Sequence, residues 1–491
     1  MKIRQLFKNV ETEDIVGRFE GQDIVEVTCD SREVKSGVLF VAVRGSHEDG
    51  HRYIDAAVKQ NAAAIVLEDR RFLPAHKPSL PYILVKNTKT ALVKIADSFF
   101  DHPYQRIQSI GITGTNGKTT VSYLIRNMLN TAGIKCGLIG TIGYRIEDEN
   151  VGLANTTPGV IELHRLVKKM VDAGDQYVVM EVSSHALDQE RVSGITFAAT
   201  IFTNLTQDHL DYHKTMEEYF CAKERLFKEH AGKTTSFIIN RDDPFGRRLL
   251  DSLKGRRLSY GFSPEADVRA DDFKITREGS RMGVSTARGK FDINTSLVGK
   301  HNLSNILAAC AFGISAKMDF TVIKKGVEGV LSVPGRLERI DSKKGFSVFV
   351  DYAHTDDALK NVLESLRLIL HNGRLITVFG CGGDRDKGKR PKMGKIASSL
   401  SDHCIITSDN PRSEDPRDII RQIVSGIDKK NFQIEEDRSL AIQKALILAQ
   451  PHDLILIAGK GHETYQIVKN KVYPFDDKAV VLEMIRGTHR V

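Results

Sequence analysis

One heptapeptide, Gly114-Thr115-Asn116-Gly117-Lys118-Thr119-Thr120, restricts what this chain can fold into more than any other stretch. Before it runs Ile107 to Thr113 (IQSIGIT), a short β-branched apolar run of the kind that forms a buried parallel strand. After it, Val121, Leu124, Ile125, Met128 and Leu129 recur at helical spacing, and Gly133 offers a stop. Strand, glycine turn, Lys-Thr, helix is the order in which backbone N–H groups and a helix N-terminus cradle phosphates. Lys118 would reach the terminal phosphates, and the Thr119 hydroxyl would hold Mg²⁺. The usual pattern wants a glycine where Ile112 stands, so the loop is a shorter variant. ATP binding is the first expectation.

At 491 residues the chain is too long for one core, and about three domains are expected. Its formal charge of +8, from 71 basic and 63 acidic residues, is not gathered into a basic block. That fits small anionic substrates at least as well as nucleic acid, and no nucleic-acid partner is expected. The six cysteines (Cys29, Cys136, Cys221, Cys310, Cys381 and Cys404) form no CxxC and suit a reducing compartment. Residues 1–21 lack an apolar export core, and no stretch approaches about 18 apolar residues, so a cytoplasmic protein without membrane attachment is expected.

Three α/β units follow from the pattern. Residues 1–98 carry Thr28-Cys29-Asp30-Ser31-Arg32, an apolar strand from Gly37 to Val43, and the loop Arg44-Gly45-Ser46-His47-Glu48-Asp49-Gly50-His51. A helical segment from Tyr53 to Gln60 and a strand from Ala63 to Leu67 come next. By spacing alone the two loops fit polar turns as well as ligand contacts. Residues 99–334 alternate strands and helices, which predicts a parallel sheet with its site at the strands' carboxyl ends. Polar clusters stand at such ends: Asn155-Thr156-Thr157, Glu181 to His185 with Gln189 and Arg191, and Asp208 to His213. Glu181 sits where a carboxylate would meet Mg²⁺ beyond a phosphate loop. Asp208 to His213 is not a zinc pattern, which wants thiols or His-Glu-x-x-His.

Residues 335–491 alternate again, with strands at Phe346–Tyr352, Arg374–Phe379 and Asp453–Ala458 and a helix at Ala358–Leu370. Gly380-Cys381-Gly382-Gly383 hints at a dinucleotide site, but the full fingerprint and its distal acid are missing, so a dehydrogenase is rejected. In Asp409-Asn410-Pro411-Arg412 a proline stiffens a loop presenting one guanidinium, suited to bidentate capture of a carboxylate. Gly459-Lys460-Gly461-His462-Glu463 has the same look of a ligand loop.

These motifs, in this order and over nearly the whole chain, closely resemble the Mur ligases, ATP-dependent amide-forming enzymes of peptidoglycan precursor synthesis. The resemblance implies a small UDP-binding α/β domain, a central P-loop ATPase domain and a C-terminal Rossmann-like domain that binds an amino acid. It implies that Cys29, Ser31, Ser46, His47 and Glu48 face the uridine diphosphate, and that Asn155, Thr156, Thr157, Ser183, Gln189 and Arg191 hold the muramoyl dipeptide. Thr119, Glu181 and His209 would ligate Mg²⁺, a pair of ions being expected. Cys221-Ala222-Lys223 matches the family's modified lysine, so Lys223 would be a carbamate, an anion able to bind Mg²⁺. Lys118, Lys223 and His209 would be catalytic, while Asn302, Arg336, Asp351 and His354 would join Gly114 to Thr120 around ATP. Asp356 stands where the family usually has proline.

Arg390, Asp409, Asn410, Pro411, Arg412, Gly459 and Glu463 match the positions that bind meso-diaminopimelate, and Arg412 separates this branch from lysine-adding relatives. Diaminopimelate is lysine with an extra carboxylate. A site that commits an arginine to that carboxylate leaves it unpaired when lysine binds, so it rejects lysine. The implied enzyme is a monomer that adds diaminopimelate to UDP-N-acetylmuramoyl-L-alanyl-D-glutamate through an acyl phosphate. Its UDP-binding unit argues against a folylpolyglutamate synthase, and its intact Lys118, Thr119, Glu181, His209 and Lys223 argue against an inactive scaffold.

Overall fold

The computed structural model describes residues 1–45, 48–76, 78–147, 149–469 and 471–487. The chain divides into two compact units, and it passes between them at 113/114, 132/133, 200/201, 221/222 and 236/237.

The first unit holds residues 1–113, 133–200 and 222–236. Its N-terminal sheet has five strands in the order Asp14–Val16, Tyr82–Leu84, Ala64–Leu67, Val38–Val41 and Glu26–Thr28. All pair in parallel except the edge strand Asp14–Val16. Val38–Val41 and Ala64–Leu67 are buried throughout, because apolar clusters cover both faces. That is why they read as unbroken apolar runs instead of alternating ones. In the same unit the strand Gln108–Thr113 pairs in parallel with Tyr177–Glu181, which pairs in parallel with Cys136–Gly140. The register sets Glu181 opposite Ile112, so the carboxylate lies at the carboxyl end of the strand Gln108–Thr113.

The second unit holds residues 114–132, 201–221 and 237–491. The helix Lys118–Thr131 packs against Lys300–Ser315 and Phe320–Glu328. The C-terminal sheet has six strands in the order Glu338–Asp341, Ser347–Asp351, Leu454–Ala458, Leu375–Phe379, His403–Ile406 and Phe432–Ile434. All pair in parallel save the first, and apolar clusters fill both faces. Polar loops leave the carboxyl ends of its central strands, where open parallel sheets bind ligands.

Each predicted strand named above is present within a residue or two of its expected ends. The expected parallel character is incomplete at the edges. Val268–Ile275, Ser280–Thr286 and Gly289–Thr295 form an antiparallel meander. Gly143–Ile146 and Glu149–Val151 add antiparallel strands beyond Cys136–Gly140. A hairpin of Tyr465–Val468 and Lys471–Pro474 stands apart from the C-terminal sheet. These segments carry many polar residues and form strands through pairing with neighbours, which a helix–strand alternation does not reveal. Among the described residues no helix is long and apolar enough to cross a membrane.

Candidate functional site

The phosphate loop is braced by the segment that follows Phe197–Phe202. Thr115 N–H donates to Asn204 O (2.9 Å), Asn116 N–H donates to Asn204 Oδ1 (2.9 Å), and Thr203 Oγ donates to Asn116 O (2.6 Å). Two glycines are required by this closeness. Gly114 has φ +147°, and a Cβ there would strike Thr203 Oγ1; Gly117 has φ +86°, and a Cβ there would strike Asn305 Oδ1. Gly117 is also the helix N-cap and brings no side-chain cap, leaving the first turn to the loop's own chemistry. Lys118 Nζ donates to the carbonyls of Gly114 (2.8 Å) and Thr115 (2.9 Å), so its ammonium lies against the loop it would serve.

A cavity of about 660 Å³ opens beside this loop. Its lining includes Asn116, Gly117, Thr120, Asn302, Arg336, Asp351 and His354, all predicted nucleotide contacts. Arg336 joins the cavity's two sides: a terminal nitrogen donates to Thr119 Oγ (3.1 Å), and the guanidinium lies 4.8 Å from the centre of the Tyr352 ring. Asp351 accepts from the N–H groups of Leu337 (2.6 Å) and Ala353 (2.7 Å), while burial raises its pKa above the ordinary carboxyl value against the pull of Arg336. Burial, reinforced by Lys389, pushes His354 down to about 4, so its ring is neutral at pH 7. Its Nδ1 lies 2.8 Å from Tyr352 O, a group that only accepts, so Nδ1 carries the hydrogen and Nε2 is an acceptor. His301 is likewise neutral, lowered to about 4 by burial and by Arg336.

Asp356, the departure from the family pattern, opens the helix Asp356–Ile369, and the Thr355 side chain caps it by accepting from Ala358 N–H. An acidic residue in a first turn favours the helix dipole, and proline suits that position for its fixed φ, so either residue starts the helix.

In the first unit the predicted dipeptide residues come together around Glu181. Thr157 Oγ donates to Glu181 O (2.8 Å) and accepts from Ser183 N–H (3.0 Å). Arg191 donates to Thr157 O (2.8 Å) and to Gln189 Oε1 (2.7 Å). The wholly buried Glu181 carboxylate accepts from Thr141 Oγ (2.8 Å) and Thr141 N–H (3.1 Å), and Thr141 Oγ lies 3.2 Å from Thr156 Oγ. Asn155 is exposed beside them. Thr141 was not singled out from the sequence, although a polar residue just beyond a buried strand is the signal that marked the others.

Cys29 and Ser31 follow Glu26–Thr28, and Glu48 follows Val38–Val41, so they stand beyond the same ends of two adjacent parallel strands. Ser46 and His47 lie outside the described residues. The loop's far end is pinned by His51, whose Nδ1 bonds Asp49 Oδ1 (2.6 Å) and whose Nε2 accepts from Glu68 N–H (3.0 Å).

Among the predicted metal ligands, Thr119 Oγ accepts from Arg336, Glu181 is bonded as above, and Lys223 is buried in the helix Met216–Lys228. His209 sits at φ +54°, its Nε2 3.4 Å from Asp208 Oδ2. Among the described residues no three His, Cys, Asp or Glu side chains are grouped to hold a metal. Mg²⁺ takes one or two protein carboxylates and completes its shell with water and substrate phosphate. Hydroxyl, carboxylate and carbamate oxygens are hard donors that fit it, and the imidazole is the unusual member.

The predicted amino-acid loops converge beyond Ser347–Asp351 and Leu454–Ala458, where Gly459 N–H donates to Asp351 O (3.1 Å). Asn410 Nδ2 donates to Glu463 Oε2 (2.8 Å), and buried Lys460 donates to both Asn410 Oδ1 (3.1 Å) and Glu463 Oε2 (3.0 Å). Asp409 is buried; burial would raise its pKa, but Arg438 and Lys460 hold it below the ordinary value. Pro411 accepts from Glu414 N–H (3.0 Å), closing the loop's turn.

The two arginines differ. Arg412 is half-buried at φ +52° and gives one nitrogen to Gly383 O (2.8 Å). Arg390 has no exposed surface and grips both oxygens of Glu414 (2.9 Å each) together with Gln422 Oε1 (2.8 Å) and Gly382 O (3.1 Å). Arg390 thus stands in the predicted amino-acid loop cluster with its terminal nitrogens on Glu414, Gln422 and Gly382 and its buried Nε without a bond partner among the described residues. Its fork already has a carboxylate, and the pair draws Glu414 down to about 2. Lys460 and Glu414 are the residues missed here, because their meaning lies in partners far along the chain.

Comparison with known proteins follows the same three segments. Residues 23–100 match the model of the Mur ligase family catalytic domain, 112–313 the Mur ligase middle domain, and 335–461 the Mur ligase glutamate ligase domain. The chain is 44% identical to UDP-N-acetylmuramoyl-L-alanyl-D-glutamate–2,6-diaminopimelate ligase of Geobacter metallireducens, covering 94% of each chain. It is 45% identical to the enzyme of the same name from Aquifex aeolicus, covering 94% of this chain and 93% of that one. A solved structure of such a ligase superposes with a TM-score of 0.70 at 30% identity over 100% of both chains.

Proposed function

The chain belongs to the Mur ligase family, and from that premise we propose that it joins meso-2,6-diaminopimelate to UDP-N-acetylmuramoyl-L-alanyl-D-glutamate at the expense of ATP. The reaction serves peptidoglycan precursor synthesis in the cytoplasm, and the enzyme works as a monomer on small molecules. Residues 1–98 take the UDP end of the precursor, 99–334 take ATP, and 335–491 take the amino acid. The observation that carries this reading is the nucleotide-sized cavity whose wall residue Asp351 is bonded to Gly459, where the amino-acid loops begin.

The chain's own groups supply positioning and charge. Gly114 to Thr120 present backbone N–H groups to the phosphates. Lys118 exchanges its loop carbonyls for a terminal phosphate oxygen, and Arg336 adds a second fixed cation. Asn302 and His354 hold the nucleoside, His354 as a neutral acceptor through Nε2. Asn155, Thr156, Thr157, Ser183, Gln189 and Arg191 orient the dipeptide so that its D-glutamyl γ-carboxylate attacks the γ-phosphorus in line, giving an acyl phosphate. Cys29, Ser31, Ser46, His47 and Glu48 grip the uridine diphosphate. Thr119, Glu181, His209 and carbamylated Lys223 would hold Mg²⁺, as a pair of ions, which when bound neutralises phosphate charge.

Asp409, Asn410, Pro411, Gly459 and Glu463 shape the acceptor site, and Arg412 offers its fork to the extra carboxylate of diaminopimelate. Arg390 joins them as a diaminopimelate-binding residue, and its pair with Glu414 holds that loop in place. Phosphate release from ATP, measured with the UDP-muramoyl dipeptide and either diaminopimelate or L-lysine, tests the reading. Turnover with diaminopimelate alone is expected. Turnover with lysine instead would discard the role of Arg412, and silence with both would discard the ligase.

A further inference from the structure

Two of the amino-acid loops are locked together by a lysine with no exposed surface. Lys460 follows the strand Leu454–Ala458 by two residues, and its side chain is wholly enclosed, whereas Glu463 keeps 14% of its side chain exposed. The Lys460 ammonium donates to Asn410 Oδ1 (3.1 Å) and to Glu463 Oε2 (3.0 Å), and it stands 5.6 Å from the centre of the Tyr465 ring. Asn410 Oδ1 accepts a second bond, from Ile467 N–H (3.0 Å). An ammonium and a backbone N–H can only donate, so the orientation of the Asn410 amide is fixed. Its Nδ2 is thereby turned to Glu463 Oε2 (2.8 Å). Both bonds to Glu463 fall on one oxygen, and Oε1 accepts none among the described residues. Arg438, the other buried cation beside Asp409, gives its fork to Asp477 (2.7 and 2.8 Å), so Lys460 is the cation that Glu463 holds. Gly459, at φ +115°, packs against the same cluster, and a Cβ there would lie 2.6 Å from Asp409 Oδ2. The two loops therefore have no slack between them.

We propose that Lys460 is a positioning residue for the amino-acid substrate: by fixing the Asn410 amide and one oxygen of Glu463, it leaves the second oxygen, Oε1, set to receive an ammonium group of diaminopimelate. This rests on the ligase reading above. Lys460 does not touch the substrate, since it is enclosed by the loops it joins, and it works through Asn410 and Glu463. Without its ammonium, Glu463 would be held by the Asn410 amide alone and could turn away from the position a ligand needs. A group that contacts a ligand must be locked by its neighbours, and a displacement of about 1 Å costs on the order of 10²-fold. The loss falls on the step that uses the amino acid. Formation of the acyl phosphate, which needs only ATP and the dipeptide, is untouched.

The test uses the full chain with Lys460→Met, Lys460→Arg, Glu463→Gln and the double variant of Lys460→Met with Glu463→Gln, beside the unaltered protein. Two readouts are taken: kcat and KM for each substrate, and scrambling of ¹⁸O from the β,γ-bridge of ATP with the dipeptide alone, which reports acyl phosphate formation. Lys460→Met should raise KM for diaminopimelate by about 10²-fold, while scrambling and KM for ATP stay within about threefold of the parent. Lys460→Arg keeps the charge and should recover part of that affinity, with KM raised about 10-fold. It carries the same comparison if Lys460→Met, which breaks a buried pair, does not fold. In the Glu463→Gln background, Lys460→Met should add less than about threefold, because a residue that acts through another is not additive with it. An unaltered KM for diaminopimelate in both Lys460 variants would overturn the proposal. So would scrambling that falls as far as the affinity, or an additive loss in the double variant, either of which would make Lys460 a merely structural residue. If the unaltered protein does not consume ATP with diaminopimelate, the ligase reading is overturned and the proposal with it.

Discussion

The phosphate loop and the amino-acid loops perform comparable work, holding an anionic ligand, yet they are built in opposite ways. The phosphate loop is seven consecutive residues, four between a strand and a helix and three in the helix's first turn, and its ligand groups are mainly backbone N–H. The amino-acid loops gather residues 380–390, 409–414 and 459–468, and their shape depends on buried charges paired across those gaps. The contiguous site keeps its form through its glycines and the bracing side chains of Thr203 and Asn204, and not through its own cation. The assembled site is only as firm as its internal ion pairs. The first can lose a functional cation without unfolding, whereas the second loses shape and function together when a member of a buried ion pair is removed.

The largest effect should come from the contiguous site. Lys118→Ala should reduce turnover on the order of 10³-fold or more while leaving the melting temperature close to that of the parent, as steady-state kinetics and thermal unfolding would show. A variant with full activity would break the comparison at its first term. In the assembled site, Glu414→Ala strands the wholly buried Arg390 guanidinium and should destabilise the fold by about 3–5 kcal/mol in urea denaturation. An unchanged transition midpoint would mean that the pair does not hold the loop.

Acid separates the regions in another way. His301 and His354 have folded pKa values near 4 against an ordinary 6.5. The unfolded chain therefore takes up protons on these residues as pH falls below 6.5, while the folded chain does not until about pH 4. Their contribution is intact above pH 6.5 and declines through that window, by up to about 3 kcal/mol for each residue. Unfolding followed at pH 7.5 and pH 5 checks the sign, and the nucleotide cavity rather than the amino-acid loops should loosen first in hydrogen exchange. The smallest effect is expected for Thr141→Val, which removes one hydroxyl donor from buried Glu181. It should cost about 1 kcal/mol, seen as a modest rise in KM for the UDP-muramoyl dipeptide.

What could be read from the sequence follows the same division. Gly114 to Thr120 identify themselves because spacing along the chain is the function, and the strand before them and the helix after them have the expected periods. The cluster of Thr157, Ser183, Gln189 and Arg191 was visible as polar residues at strand ends, and the chain brings them within hydrogen-bonding distance. Arg390 and Arg412 look alike in sequence, each an arginine in a loop containing proline. Only the fold reveals that Glu414, 24 residues away, already occupies the first. The hairpin from Tyr465 to Pro474 was missed although its residues alternate, and it matters because Arg412 N–H donates to Ile467 O (3.0 Å) and Lys469 N–H to Arg412 O (2.7 Å). The antiparallel meander from Val268 to Thr295 carries charged residues on its open face, so neither apolar run nor helical period announced it.

The claim that joins these observations is that Arg412 selects the amino acid while Arg390 holds the loop that presents it. Arg412→Lys and Arg390→Lys, assayed in parallel for kcat/KM with diaminopimelate and with lysine and for melting temperature, test it most directly. Arg412→Lys should lose about 10²-fold in kcat/KM for diaminopimelate with melting unchanged to within about 2 °C, because an ammonium replaces a fork in an otherwise intact loop. Arg390→Lys should melt several degrees lower. Preserved discrimination in Arg412→Lys, with discrimination lost and melting unaltered in Arg390→Lys, would contradict the assignment of the two roles.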